Sequence, residues 1–209
     1  MIVKADFHIH SCLSPCGSLE MSPRSIVERA TARGLNLVAI SDHNSALNCP
    51  TLAKICAAEK MHCFFGIEVS TIEEVHCLCL FDRLDKVLEL DEIVYSHLPD
   101  IKNVPEKFGD QVVVNEHDEI IKTVDKFLGS SVLISMSELN QKVHALGGLF
   151  IPSHINRSIF SLITQLGFVP LAEPFDAVEI YHASFLQGRP KIPDISYPMV
   201  SNSDAHYLD

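Results

Sequence analysis

Apolar runs of strand length alternate with helix-like segments along the chain, and most of those runs end at a histidine or a carboxylate. Alternation of this kind implies a largely parallel sheet covered by helices, either open and doubly wound or closed into a barrel. Ile2 to His8 reads as the first strand. Ser22 then caps a helix with Pro23 in its first position, and Gly34 stops it after Arg33. Leu37 to Ser41 is the second strand, and Pro50 to Lys60 the next helix. Phe64 to Val69 and Val75 to Phe81 are strands joined by a short connection, and Leu84 to His97 is helical. Pro99 to Leu128 is the least regular stretch, with a strand at Gln111 to Val114. A helix is expected over Ser137 to Leu146, halted by Gly147-Gly148, then a strand over Leu149 to Ile151 and a short helix over Ser158 to Leu166. Ala177 to Tyr181 and Met199 to Ser201 are the last strands. No repeat or linker divides the 209 residues, so a single domain over 1–209 is expected.

The placement of polar residues chooses between the two sheet forms. The first strand gives Asp6-Phe7-His8-Ile9-His10 and the second Ser41-Asp42-His43-Asn44. The third ends at Glu68, the fourth contains His76, and later strands give Pro152-Ser153-His154 and Ser203-Asp204-Ala205-His206. Side chains on a strand alternate faces, so His8 and His10 share a side, as Asp204 and His206 do. The two pairs converge if the first and last strands are neighbours in a closed barrel. The C-terminal rim of such a barrel is where active-site residues collect. Imidazoles and carboxylates drawn to one rim form a set of metal ligands.

Composition bounds the rest. No stretch approaches the roughly 18 consecutive apolar residues that span a bilayer, and the N-terminus has no signal-like apolar run. No membrane association and a cytoplasmic location are therefore expected. Seven cysteines, an odd number without regular spacing, read as free thiols rather than a disulfide framework. A formal charge of −11 argues against passive electrostatic binding of nucleic acid. The eleven histidines, many beside acids, imply that bound cations supply positive charge locally.

The strand-end motifs resemble the PHP (polymerase and histidinol phosphatase) family, in the family's order and over residues 6 to 206. The resemblance implies an α/β fold, a distorted (β/α)7 TIM-like barrel, with two or three divalent metal ions, Zn, Mn or Fe. It implies a phosphoesterase that hydrolyses a small phosphorylated metabolite, a nucleotide or the end of a short oligonucleotide by a metal-bound hydroxide. Carried over position by position, His8, His10, Glu68 and Asp204 would hold the first metal. Glu68 would bridge to a second, completed by His76 and His154. A third would rest on His43, His206 and a residue shortly after His10. Family members place Asp or His there, whereas this chain offers Cys16, whose thiolate is a reasonable zinc ligand. Cys12 reads as structural. His8, His10, Glu68, Asp204 and His206 are the catalytic candidates.

Arg157 and Asn44 are candidates for holding the phosphate, with Arg189 a weaker one, and Asp42 and Asp6 for orienting ligand imidazoles. His62, His97, His117, His144 and His182 lie outside any motif, although His182 follows a strand end. Two other readings stay open. One is an amidohydrolase, which shares the architecture and the opening His-x-His, although no strand-end lysine is present for carbamylation. The other is a non-catalytic metal-binding regulatory module of a larger nucleic-acid-processing protein. A barrel's last strand is normally followed by a covering helix. The sequence shows none after Asp204, so the C-terminal helix is expected to be lacking.

Overall fold

Strand β2 (Leu37–His43) and strand β3 (His62–Ser70) are the longest of the sheet and run parallel, in a register that sets His43 beside Glu68. Between them helix α2 (Cys49–Glu59) ends at Lys60 in the left-handed conformation. The computed structural model describes residues 2–181 and 196–209; Arg189 and His182 lie outside the described residues. Helix α1 (Pro23–Ala32) precedes β2 and is capped as its sequence predicts. The Ser22 hydroxyl accepts from the Ser25 N–H, and Gly34 adopts a φ of 72° past the end.

The sheet is mixed rather than largely parallel. Strand β4 (His76–Phe81) pairs antiparallel with β3, Ser70 opposite His76. A parallel return needs a crossover of roughly a dozen residues or more. Residues 71–75 allow only a turn, closed by the Thr71 N–H to the Val75 carbonyl. His76 therefore opens its strand instead of closing it, yet sits on the same rim as Glu68. Strand β7 (Leu149–Pro152) pairs antiparallel with β4, which restores the direction of β3.

Backbone hydrogen bonds carry the curl onward. The Ile155 N–H donates to the Glu179 carbonyl at 2.8 Å, laying β8 (Val178–Glu179) beside the end of β7. Parallel to β8 runs β9 (Met199–Val200). Strand β1 (Ala5–Asp6) is shorter than the sequence suggests. The chain beyond it continues the ring, because the His10 N–H donates to Ala205 and the Ser41 N–H to Ile9, each at 2.9 Å. The result is a mixed sheet curled into a distorted TIM-like barrel, with helices α1, α2, α3 (Leu84–His97) and α5 (Met136–Ala145) around it.

The interior follows the two-residue period of a strand. Ala39, Phe64, Leu80, Ile151, Ala177 and Val200 pack together inside. Two steps along β2, β3 and β4 from Ser41, Gly66 and Leu78 come His43, Glu68 and His76 at the rim. Gly66 has no room for a side chain: a Cβ there would lie 3.0 Å from the Ile40 carbonyl oxygen and from Leu80.

The irregular stretch after α3 leaves the barrel as a short helix α4 (Pro105–Phe108) and a hairpin of β5 (Val112–Val114) and β6 (Ile120–Thr123). Asn48 and Thr51 of the α2 turn tie it down, Asn48 to both Val112 and Val114, Thr51 to the Val114 carbonyl at 2.7 Å. Helix α6 (Leu162–Leu166) starts later than expected, because Ser161 and Thr164 cap one another and fix its first turn there. No described helix is long and apolar enough to cross a membrane.

Candidate metal centre

Glu68 projects from the end of β3 into a ring of imidazoles. Its Oε1 lies 3.2 Å from His8 Nε2, 3.2 Å from His154 Nε2 and 3.4 Å from His76 Nδ1. Its Oε2 lies 3.2 Å from His43 Nδ1 and 3.4 Å from His10 Nε2. Asp204 Oδ1 approaches His8 and His10 Nε2, each at 3.4 Å. Two donor atoms each about 2.1 Å from one tetrahedral cation lie about 3.4 Å apart. The spacing of the cluster is thus the spacing of ligands around shared cations.

Hydrogen bonding gives the same answer. Both Glu68 oxygens, both His154 ring nitrogens and His76 Nδ1 are buried without a hydrogen-bond partner, a costly state unless a cation meets them. His8 Nδ1 faces the Glu179 carboxylate at 2.9 and 3.0 Å, and His10 Nδ1 faces the Ser14 hydroxyl at 2.9 Å. Ser14 Oγ in turn donates to Asp42 at 2.7 Å, so it accepts from His10. Each ring is held through Nδ1, and the two Nε2 atoms face one another at 3.2 Å. His206 Nδ1 donates to the Asp204 carbonyl at 2.9 Å, which frees its Nε2.

Among the described residues three donor groups have ligand atoms within 4.8 Å of one another: His8, His10 and Asp204; His43, Glu68 and His76; and His10, Cys16, His43 and His206. The residues present fit divalent cations by donor chemistry, spacing and unmet buried atoms. Cys16 reaches the third group on the turn after His10. Cys16 is exposed as a residue, yet desolvation by the surrounding groups and then the Glu68 charge push its thiol up to about 12. A cation opposite would reverse that.

The titration pattern follows from crowding. Burial raises the Glu68 carboxyl, but the neighbouring imidazoles of His76, His8, His10 and His154 outweigh it and hold it well below its ordinary value. Burial lowers His8, yet Glu179 and Glu68 together raise it well above 6.5. His10 is raised against its own burial by Asp204 and Glu68. His43 is driven well below 6.5 by burial and then by His10, and His206 falls to about 4 for the same reasons. Protons on His8 and His10 would compete with cations for the same inward-facing nitrogens.

A family model described as the PHP domain matches residues 6–153. The chain belongs to the PHP domain family. This PHP domain is 27% identical over 168 residues to the uncharacterised protein MJ0043 of Methanocaldococcus jannaschii, covering 80% of this chain and 18% of that protein. Its fold is similar to the lesion-specific endonuclease PfuEndoQ of Pyrococcus furiosus, with TM-score 0.66 and 23% identity over 100% of this chain and 50% of that one. It is equally similar, at TM-score 0.66 and 17% identity, to a protein provisionally named a metal-dependent phosphoesterase from Bifidobacterium adolescentis, over 100% and 89% of the two chains. The chain thus spans 50% of the endonuclease and 18% of the Methanocaldococcus protein.

The remaining sequence candidates of this PHP domain divide. Arg157 stands at the centre, its guanidinium 2.5 Å from Asp204 Oδ2 and over the Tyr181 ring. Asn44 is buried and committed elsewhere: its amide donates to the Leu128 and Ser130 carbonyls, and its Oδ1 accepts from the Ser70 N–H. It has no donor left for a phosphate, which corrects the expectation for that residue. Asp42 acts on His10 only through Ser14. Asp6 accepts from the backbone of His8 and Ser203 and touches no imidazole. Cys12 is buried against Val112, in a structural role. His97 and His144 bond to Ile93 and Asp176, away from the centre.

Sequence reasoning missed Glu179. It is buried, holds His8, and is itself held by the His154 N–H at 3.0 Å and Asn202 at 2.8 Å. The signal was a carboxylate inside the apolar run Ala177-Val178-Glu179-Ile180, where a buried charge demands a partner.

Proposed function

We propose that this chain hydrolyses phosphate esters at a centre of two or three divalent cations, held in the sets carried over from the family. The observation that carries the reading is Glu68, whose two buried oxygens are ringed by five imidazoles at 3.2 to 3.4 Å. When bound, divalent cations supply Lewis acidity toward water and toward the phosphoryl oxygens. The protein's own groups do the rest. Glu68 would serve adjacent cations, and His8, His10 and Asp204 would hold one of them. His76 and His154 would complete the second with Glu68, beside which His43 also lies, and His43, His206 and Cys16 would hold the third. Glu179 and Ser14 fix the rings of His8 and His10 so that Nε2 points inward. Arg157 offers a planar fork to an anionic oxygen. Three divalent ions bring six positive charges; Glu68, Asp204 and a Cys16 thiolate return three, a surplus that suits an anionic substrate.

The substrate class is a small phosphorylated molecule, a nucleotide or a nucleic-acid end. Endonuclease Q, similar in fold at 23% identity, is known in complex with a 27-mer duplex carrying an abasic lesion at its active site, which favours including nucleic-acid ends. Metal analysis of the purified chain, with phosphate release from monoesters, diesters and short oligonucleotides, tests the reading. Dihydroorotate-like amides assayed in parallel test the amidohydrolase alternative. A stoichiometric metal protein inert toward every phosphate ester would favour a regulatory module instead.

A further inference from the structure

Residues 99–129 loop out of the barrel and come back against the turn that carries Cys16. The contact is backbone on backbone: the Val112 N–H donates to Cys12, and a Cβ on Gly109 would lie 2.0 Å from the Pro15 carbonyl oxygen. Between this excursion and the metal centre lies a cleft of about 170 Å³. Phe108, Phe127, Leu128 and Phe160 form its walls, while His43 and His76 border it from the centre. Phe108 and Phe127 stack with centroids 4.2 Å apart, and Phe160 lies parallel to His76 at 4.7 Å and 3°. Gly129 leaves space for the Phe127 ring, since a Cβ there would fall 2.5 Å from its Cζ.

The chemistry of these walls is unlike that of the centre beside them. Among the described residues no Lys, Arg, Asp or Glu lines the cleft; Cys16, His43 and His76 border it on the side of the centre, and Ser70 is the other polar side chain. Flat carbon faces line it, and Phe108 and Phe160 stay 41% and 38% exposed. An apolar cavity of about 150 Å³ accommodates a benzene ring. The geometry points to this cleft as a subsite for an uncharged planar ring, aryl or nucleobase, on the same molecule whose phosphate meets the cations. The assignment rests on the phosphoester reading for the group that carries the ring, and on the cleft itself for the ring.

Turnover of phenyl phosphate, a nucleoside 5′-monophosphate and ethyl phosphate by wild type and Phe127→Ala tests it. The expected result is a fall of about tenfold in kcat/KM for a ring-bearing ester relative to ethyl phosphate, the scale of one lost stacking partner. Phe127→Tyr should restore the ratio. A loss confined to the nucleotide identifies a nucleobase, and one confined to phenyl phosphate an aryl group; a ratio unmoved for both overturns the proposal. A second arm needs no turnover and no variant: amide NMR of the wild-type chain titrated with adenosine or phenol, against ethanol. Shifts at Phe127, Gly129 and Phe160 with a ring compound alone are expected, and their absence with both overturns the subsite. If no ester releases phosphate while these shifts appear, the phosphoesterase reading fails and the ring subsite stands.

Discussion

The Nδ1 of His8 lies 2.9 and 3.0 Å from the two oxygens of Glu179, the closest carboxylate–imidazole contact of the centre. A carboxylate behind a ligand imidazole fixes its tautomer and raises its basicity toward the cation on the far side. Glu179→Gln keeps the shape and removes the charge, so metal affinity should fall by about 10- to 100-fold. Competition against a chelator measures it, with far-UV circular dichroism to show that the fold persists. Unchanged affinity in a folded variant would reduce Glu179 to a packing role.

Cys16→Ser tests the third donor group. Its Sγ lies with the ligand nitrogens of His10, His43 and His206, within 4.8 Å of each. The variant should bind about one cation fewer per chain than wild type, since serine is a far poorer ligand than a thiolate. Cobalt(II) substitution gives an independent readout: a thiolate-to-cobalt charge-transfer band in wild type, lost in the variant. Equal metal content and equal spectra would leave Cys16 an ordinary turn cysteine.

Much of this centre was legible locally. His8 with His10, and Asp204 with His206, announce themselves because a two-residue spacing on a strand fixes a common face within a few atoms. The barrel and the cap at Ser22 were legible for the same reason. What escaped depends on distant partners. The residues 99–129 excursion has weak periodicity of its own and is held by Asn48 and Thr51 on another element. Asn44 looked like a rim donor, and only the return of residues 128–130 shows where its amide goes. The direction of β4 is the exception: the short connection over residues 71–75 was visible, and the rule for parallel crossovers would have set it against the expected parallel sheet.

Stability of the metal-free protein should peak near pH 6.5. His8 and His10 are raised in the fold, so the stability they contribute is complete below 6.5 and is lost as pH rises through their folded values. His43 and His206 are lowered, His206 to about 4, so their contribution is lost as pH falls from 6.5. Glu68, Glu179 and Asp204, all held low, lose theirs on further acidification, while Asp42, raised by burial, works against them there. Cations displace the protons on His8 and His10, so added metal should abolish the alkaline decline. Thermal melts of chelator-treated and metal-loaded protein from about pH 5 to about pH 8 check both limbs. A metal-free melting temperature still climbing at the alkaline end would contradict the assignment of His8 and His10.

Arg157 poses a question that one variant pair resolves. Its guanidinium lies 2.5 Å from Asp204 Oδ2, while Asp204 Oδ1 faces His8 and His10. If the guanidinium serves the substrate, Arg157→Ala should raise KM for a phosphate ester about tenfold, the scale of a lost charge-assisted hydrogen bond. Arg157→Lys should recover only part, because an ammonium lacks the planar fork. If the guanidinium instead only steadies Asp204, the loss appears in metal affinity and leaves KM alone. Measuring KM and chelator-competed metal affinity on the same preparations separates the two. We expect the KM effect, because Asp204 Oδ1 already faces both imidazoles and needs no help from Oδ2 to reach a cation held between them.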